Sequence, residues 1–134
     1  MLVDLNADCQ SVVINATASE VYRRLLRFQD LPRFLTSITT IDKIDPNGFS
    51  CTSVINNERI ASQILIMMRV PNRRIAWQAV SDQFRIGVIF LDPLLGGTSK
   101  VTVKVRSVLE PIQLTGVLRG YLSNFKHFIE QRQS

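Results

Sequence analysis

Along residues 98–108 the chain alternates with a period of two. Val101, Val103 and Val105 occupy one side, and Thr102, Lys104 and Arg106 the other. This is the pattern of a strand with one face on a core and the other toward water. Five more strands are predicted upstream at residues 38–44, 49–55, 59–70, 74–80 and 83–91, joined by short turns. Asp45-Pro46-Asn47-Gly48, Asn56-Asn57, Pro71-Asn72, Ser81-Asp82 and residues 92–97 with Gly96-Gly97 carry the side chains that preset or tolerate turn dihedrals. Residues 59–70 place Ile60, Ser62, Ile64, Ile66, Met68 and Val70 on one side, and Ala61, Gln63, Leu65, Met67 and Arg69 on the other. Both sides are fairly apolar, so this strand is expected to be covered on one face and partly solvated on the other. The β-branched run Val12, Val13 and Ile14, within residues 8–15, adds a first strand.

Between the first strand and the rest the period changes. Thr17-Ala18-Ser19-Glu20 is a capping box, with Thr17 as N-cap and Glu20 three residues on. The helix it starts aligns Val21, Leu25 and Phe28 in a stripe, with Tyr22 and Leu26 beside it. Arg23, Arg24 and Arg27 are left for the other side. A second short helix is expected from Asp30, with Pro32 in its first turn and Leu31, Phe34 and Leu35 on its apolar side. After Glu110-Pro111, Leu114, Val117, Leu118, Tyr121, Leu122, Phe125, Phe128 and Ile129 recur at three- and four-residue steps, predicting one long amphipathic helix.

This order specifies an α+β fold. Six strands joined by short turns form an antiparallel meander, and only the last helix has enough apolar surface to cover it. One helix does not fill the concavity of a twisted seven-stranded sheet, so an internal cavity is expected between them. The 134 residues suit one domain over residues 1–134, and at 46% hydrophobic they can build a real core.

Charge narrows the functional classes. The net charge is +5, but the arginines are scattered, and neither a recognised nucleic-acid module nor exposed aromatics interleaved with them is expected. A solvated basic surface is indicated rather than a nucleic-acid interface. No apolar run reaches the ~18–20 residues of a membrane span; the longest, residues 60–70, is broken by Ser62, Gln63 and Arg69. Asp4, Asn6 and Asp8 interrupt the start before a signal-type apolar segment can form, so a cytoplasmic location is expected. Cys9 and Cys51 match no metal or redox spacing and read as small hydrophobes in strands. His127 has no ligand partner at metal spacing. No cofactor or metal is indicated.

Several segments, in order, resemble the START-like, Bet v 1-like (SRPBCC) superfamily, in particular its bacterial polyketide cyclase/dehydrase branch. They are Val13-Ile14-Asn15-Ala16-Thr17-Ala18-Ser19-Glu20-Val21-Tyr22, Phe28-Gln29-Asp30-Leu31-Pro32-Arg33-Phe34 and Pro71-Asn72-Arg73-Arg74-Ile75-Ala76-Trp77. Phe90 through Val103 follows, and Leu122-Ser123-Asn124-Phe125-Lys126-His127-Phe128-Ile129-Glu130 resembles the end of that superfamily's last helix. The resemblance implies a helix-grip fold: a curved seven-stranded antiparallel sheet around a long C-terminal helix, with two short helices between strands one and two. It also implies a hydrophobic small molecule as partner, such as a lipid, a quinone or a polyketide-like aromatic. Two alternatives accompany it: cyclisation, aromatisation or dehydration of such a molecule, and a protein-interaction role of the coenzyme Q-binding, ribosome-associated toxin type.

Acid–base chemistry would need a placed proton carrier. Asp30, Asp45, Asp82, Asp92 and Glu110 fall in turns or at helix starts, and no Ser-His-Asp order, carboxylate pair or phosphate loop is present, so no catalytic residue is assigned. The expected cavity wall comprises Phe34, Ile64, Ile66, Met68, Trp77 and Phe90, roofed by Val117, Tyr121 and Phe125. Arg69 and Arg85 each interrupt an apolar strand. Two placements are open for them: snorkelling across the outer sheet face, or pointing inward to hold an anionic group, with Arg85 the candidate ligand residue.

Overall fold

Thr17 opens the first helix as the capping pattern requires. It is extended at φ −69°, ψ 156°, and its side chain accepts a hydrogen bond from the Glu20 backbone N–H at 3.1 Å. The computed structural model describes residues 5–55, 57–80 and 84–131. The expected turns at Asn56 and Ser81-Asp82, and Asp4 near the start, lie outside those residues. The elements run β1 (Asn6–Ile14), α1 (Ala18–Leu25), a 3-10 helix (Phe28–Arg33), β2 (Ile38–Asp45), β3 (Gly48–Ile55), β4 (Glu58–Val70) and β5 (Arg74–Val80). Then come β6 (Phe84–Pro93), a 3-10 turn (Leu95–Gly97), β7 (Ser99–Ser107) and α2 (Pro111–Gln131).

The second short helix begins before Asp30 and is 3-10 rather than α. Pro32 lies inside it without an N–H to donate, and the chain takes the tighter form that short pieces adopt.

All neighbouring strands are antiparallel, in the order β1-β7-β6-β5-β4-β3-β2. Each hairpin joins sequence neighbours, and β1 pairs with the last strand, β7. α2 crosses the concave face. Ile14, Val21, Leu91, Val101, Leu114 and Ile129, each at most 1% exposed, form the centre of the core.

Two β-bulges change which residues face that core. In β4, Ile66 pairs with Trp77 but Met68 pairs with Ala76, so Met67 is an extra residue. In β6, Phe84 pairs with Ser107 but Ile86 with Arg106, so Arg85 is extra. A bulge bends its strand and inverts the alternation beyond it. Past Met67, Arg69 pairs with the buried Ile75 on the concave side, while Met68 turns outward and is 44% exposed. This corrects the uninterrupted alternation expected for residues 59–70.

Two further expectations change. Arg24, expected on the solvent side of α1, is 4% exposed. Its guanidinium lies 4.7 Å from the centre of the Phe128 ring, with Glu20 at 3.8 Å. The buried side of α1 is wider than its apolar stripe, because Phe128 of α2 covers Arg24. Cys9 is exposed on the outer face of β1, whereas Cys51 is buried with its Sγ 2.9 Å from the Ser62 hydroxyl.

The end of α2 is tied to β1. Lys126 Nζ donates to the Val13 carbonyl at 2.7 Å and to Glu130 Oε2 at 2.6 Å, and the Asn15 N–H donates to the same carboxylate at 3.1 Å. The Lys126 hydrogen bond, then that from Asn15, holds the Glu130 carboxyl below its ordinary pKa of 4.5. A depressed carboxyl contributes stability that is complete above the ordinary value and is lost as pH falls through the depressed one. Urea midpoints of Glu130→Gln should therefore fall less steeply than wild type on acidification from about pH 6 to about pH 3. Parallel curves would show that this tie adds nothing.

Candidate functional site

Between α2 and the sheet lies a chamber of about 160 Å³. Its floor alternates inward from successive strands: Phe49 of β3, Ile64 and Ile66 of β4, Ile75 and Trp77 of β5, Phe84 and Ile89 of β6, and Val101, Val103 and Val105 of β7. Leu118, Tyr121, Leu122 and Phe125, one helical stripe, make the roof. Leu25, Phe28, Leu31, Phe34, Leu35, Ile38 and Ile41 close the side.

Trp77 shapes the floor. It pairs with Gly87 across β5 and β6, and the indole occupies the space a side chain on Gly87 would need. A methyl built there would lie well inside van der Waals contact of Cη2 and Cζ2, and 2.8 Å from Cζ3. The glycine is required by this close approach and not by its backbone angles.

The side wall is fastened to the roof. The Tyr121 hydroxyl is 2.7 Å from Ser37 Oγ, and Asn124 Nδ2 donates to the Phe34 carbonyl at 3.2 Å. The Phe34 ring packs against Phe125 and Phe128 at centroid distances of 4.8 and 5.5 Å, and Phe84 meets Tyr121 edge-on at 5.9 Å. These contacts hold the segment after the 3-10 helix against α2.

Among the residues expected at the cavity, the structure brings together Phe34, Ile64, Ile66, Trp77, Tyr121 and Phe125. Four lie elsewhere. Met68 is turned outward by the bulge at Met67. Arg85 is exposed at the bulge of β6, off the chamber wall. Phe90 pairs with Thr102 on the convex face, with the Arg74 guanidinium 4.9 Å and Lys104 Nζ 5.4 Å from its ring centre. Val117 packs against the core beside the roof, whose stripe runs instead through Leu118 and Leu122. Sequence reasoning passed over Phe28, Phe49 and Phe84 as wall residues. Phe28 and Phe34 both lie in the short apolar segment between α1 and β2, and its aromatic residues beside a concave sheet are the signal that points to it.

The wall is apolar around its whole circumference. Tyr121 supplies its one hydroxyl; no carboxylate or imidazole lines it among the described residues, and His127 is exposed on α2. The arrangement can exclude water and hold an apolar group by shape. No described helix is long and apolar enough to cross a membrane.

No protein-family model matches the sequence, and no curated protein matches it. Solved structures match its fold. A START superfamily protein from Mycobacterium smegmatis superposes with a TM-score of 0.77 at 13% identity, over 93% of this chain and 97% of the other. The Zhui aromatase/cyclase from Streptomyces sp. R1128 gives 0.77 at 11% identity, over 98% and 97%. The di-domain ARO/CYC BexL from the BE-7585A biosynthetic pathway gives 0.75 at 19% identity, over 93% of this chain and 46% of that one. These likenesses establish the helix-grip fold, which the START superfamily protein and the two aromatase/cyclase structures share. At such identities they speak for fold alone.

Proposed function

We propose that this chain, built on the START-like helix-grip fold, binds a compact apolar molecule in the chamber beneath α2. The observation that carries the reading is a space of about 160 Å³ lined almost wholly by hydrocarbon side chains. An apolar guest seated there removes its own surface and that of the lining from water, at roughly 25 cal/mol per Å² of apolar area buried. An apolar cavity of about this size in another protein holds one benzene ring. The size favours one ring or a short branched chain. A long lipid or a full polyketide would need the side wall to open.

Acid–base cyclisation is less well supported, because the Tyr121 phenol is the only side chain lining the chamber that can exchange a proton among the described residues.

Toluene titration tests the proposal. Trp77 is the only tryptophan, so its emission reports on the chamber floor directly. Saturation to about 100 times Kd should add about 2.7 kcal/mol of stability and raise the melting temperature by several degrees. Toluene up to its solubility limit that moves neither the emission nor the melting temperature would overturn the reading.

A further inference from the structure

A second recess of about 180 Å³ adjoins the chamber and shares Phe28, Ile41 and Phe49 with it. Its character is different. Lys43 and Arg69 line it together with Gln29, so polar surface enters where the chamber has almost none. Both cations reach this place by register. Lys43 pairs with Phe49, itself a chamber residue, which puts Lys43 on the concave side of β2. Arg69 arrives there because the extra residue Met67 inverts the end of β4.

The two charges line the recess without an acidic counterpart. Arg69 donates from Nη2 to the Pro46 carbonyl at 2.8 Å, and its guanidinium stands 5.8 Å from the centre of the Phe28 ring. Neither Lys43 nor Arg69 enters an ion pair among the described residues, although Glu20, Asp30 and Glu130 all do with other cations. No carboxylate lines the recess. Two like charges gathered at one opening repel each other, and an anion between them relieves that repulsion. Arg and Lys together offer the donors that a carboxylate accepts.

We infer that this recess is an anion subsite, and that the ligand is a compact amphipathic carboxylate, its apolar body in the chamber and its carboxylate between Lys43 and Arg69. The inference rests on the chamber reading and deepens it by assigning the ligand's polar end. It also assigns a purpose to the β4 bulge, which otherwise places a charged side chain on the face that β4 uses for its core.

The test compares two probes that share one ring and one chain length, 4-phenylbutanoate and 4-phenyl-1-butanol, by calorimetry and Trp77 emission. Phenylbutanoate should bind more tightly than the alcohol, and raising salt from about 0.05 M to about 0.5 M should erode that advantage. Lys43→Gln and Arg69→Gln should each weaken phenylbutanoate about threefold, and the double variant about tenfold, as expected for solvent-accessible charges. Binding of phenylbutanol should stay within twofold of wild type, a limit of about 0.4 kcal/mol. Lys43→Gln is the cleaner variant, since the Arg69 side chain also braces the Pro46 turn. Equal binding of the two probes, or unchanged phenylbutanoate affinity in Lys43→Gln and the double variant, would overturn the anion subsite while leaving the chamber reading intact. Failure of toluene and both phenyl probes to bind would overturn both.

Discussion

Gly87→Ala is expected to destabilise the protein by about 1–3 kcal/mol and to reduce toluene binding about tenfold or more. In an ordinary strand the same change stabilises by about 0.5–1 kcal/mol, because glycine loses more backbone freedom on folding than alanine. The sign of the effect is therefore diagnostic. The new methyl would overlap the benzo ring of Trp77, which must then leave the sheet. The sheet backbone blocks one direction and the chamber lies in the other, so the indole should swing into the space a guest would occupy. Trp77 emission should shift in the variant without ligand. Trp77→Leu in the Gly87→Ala background should recover most of the stability lost, giving a positive coupling between the two sites in a double-mutant cycle. A Gly87→Ala protein more stable than wild type, with unchanged toluene affinity, would contradict the close packing of Trp77 on Gly87.

The largest effect on stability should come from Phe125→Ala. Phe125 is 3% exposed, roofs the chamber and packs 4.8 Å from the Phe34 ring. Its loss removes a full aromatic burial and leaves a cavity that opens into the chamber, for which about 3–5 kcal/mol is expected. The same change should enlarge the chamber and shift preference from toluene toward two-ring guests such as naphthalene. Ile112→Ala on the same helix is the control, since Ile112 is 90% exposed and should change urea stability by less than about 0.5 kcal/mol. Equal urea midpoints for the two variants would show that Phe125 does not anchor the helix to the side wall.

Much of this architecture is legible in particular residues. The alternation of Val101, Val103 and Val105 specifies a face, and those three side chains lie on the chamber floor. Thr17 and Glu20 specify where α1 begins, and the cap forms. Asn72, at φ 63° after Pro71, makes the turn its dipeptide announces, closed by the Arg73 N–H on the Val70 carbonyl at 3.0 Å. The stripe from Leu114 to Ile129 specifies a helix with one buried side, and Leu114, Leu118, Leu122, Phe125 and Ile129 are buried on it. Each of these features is set by interactions within a few residues, which is why local pattern suffices to read them.

Tertiary structure alone decided the site. A bulge is visible only once a partner strand is in register, so nothing local in Ile66-Met67-Met68-Arg69 says that Met68 faces out and Arg69 in. The same holds for Arg85, and for Phe90, whose place on the convex face depends on pairing with Thr102. Gly87 reads as an ordinary weak point in a strand until Trp77 lies across it. Secondary structure follows from periodicity that each segment carries by itself. Which of two apolar faces lines a cavity depends on the cumulative register of seven strands, and one extra residue reverses it.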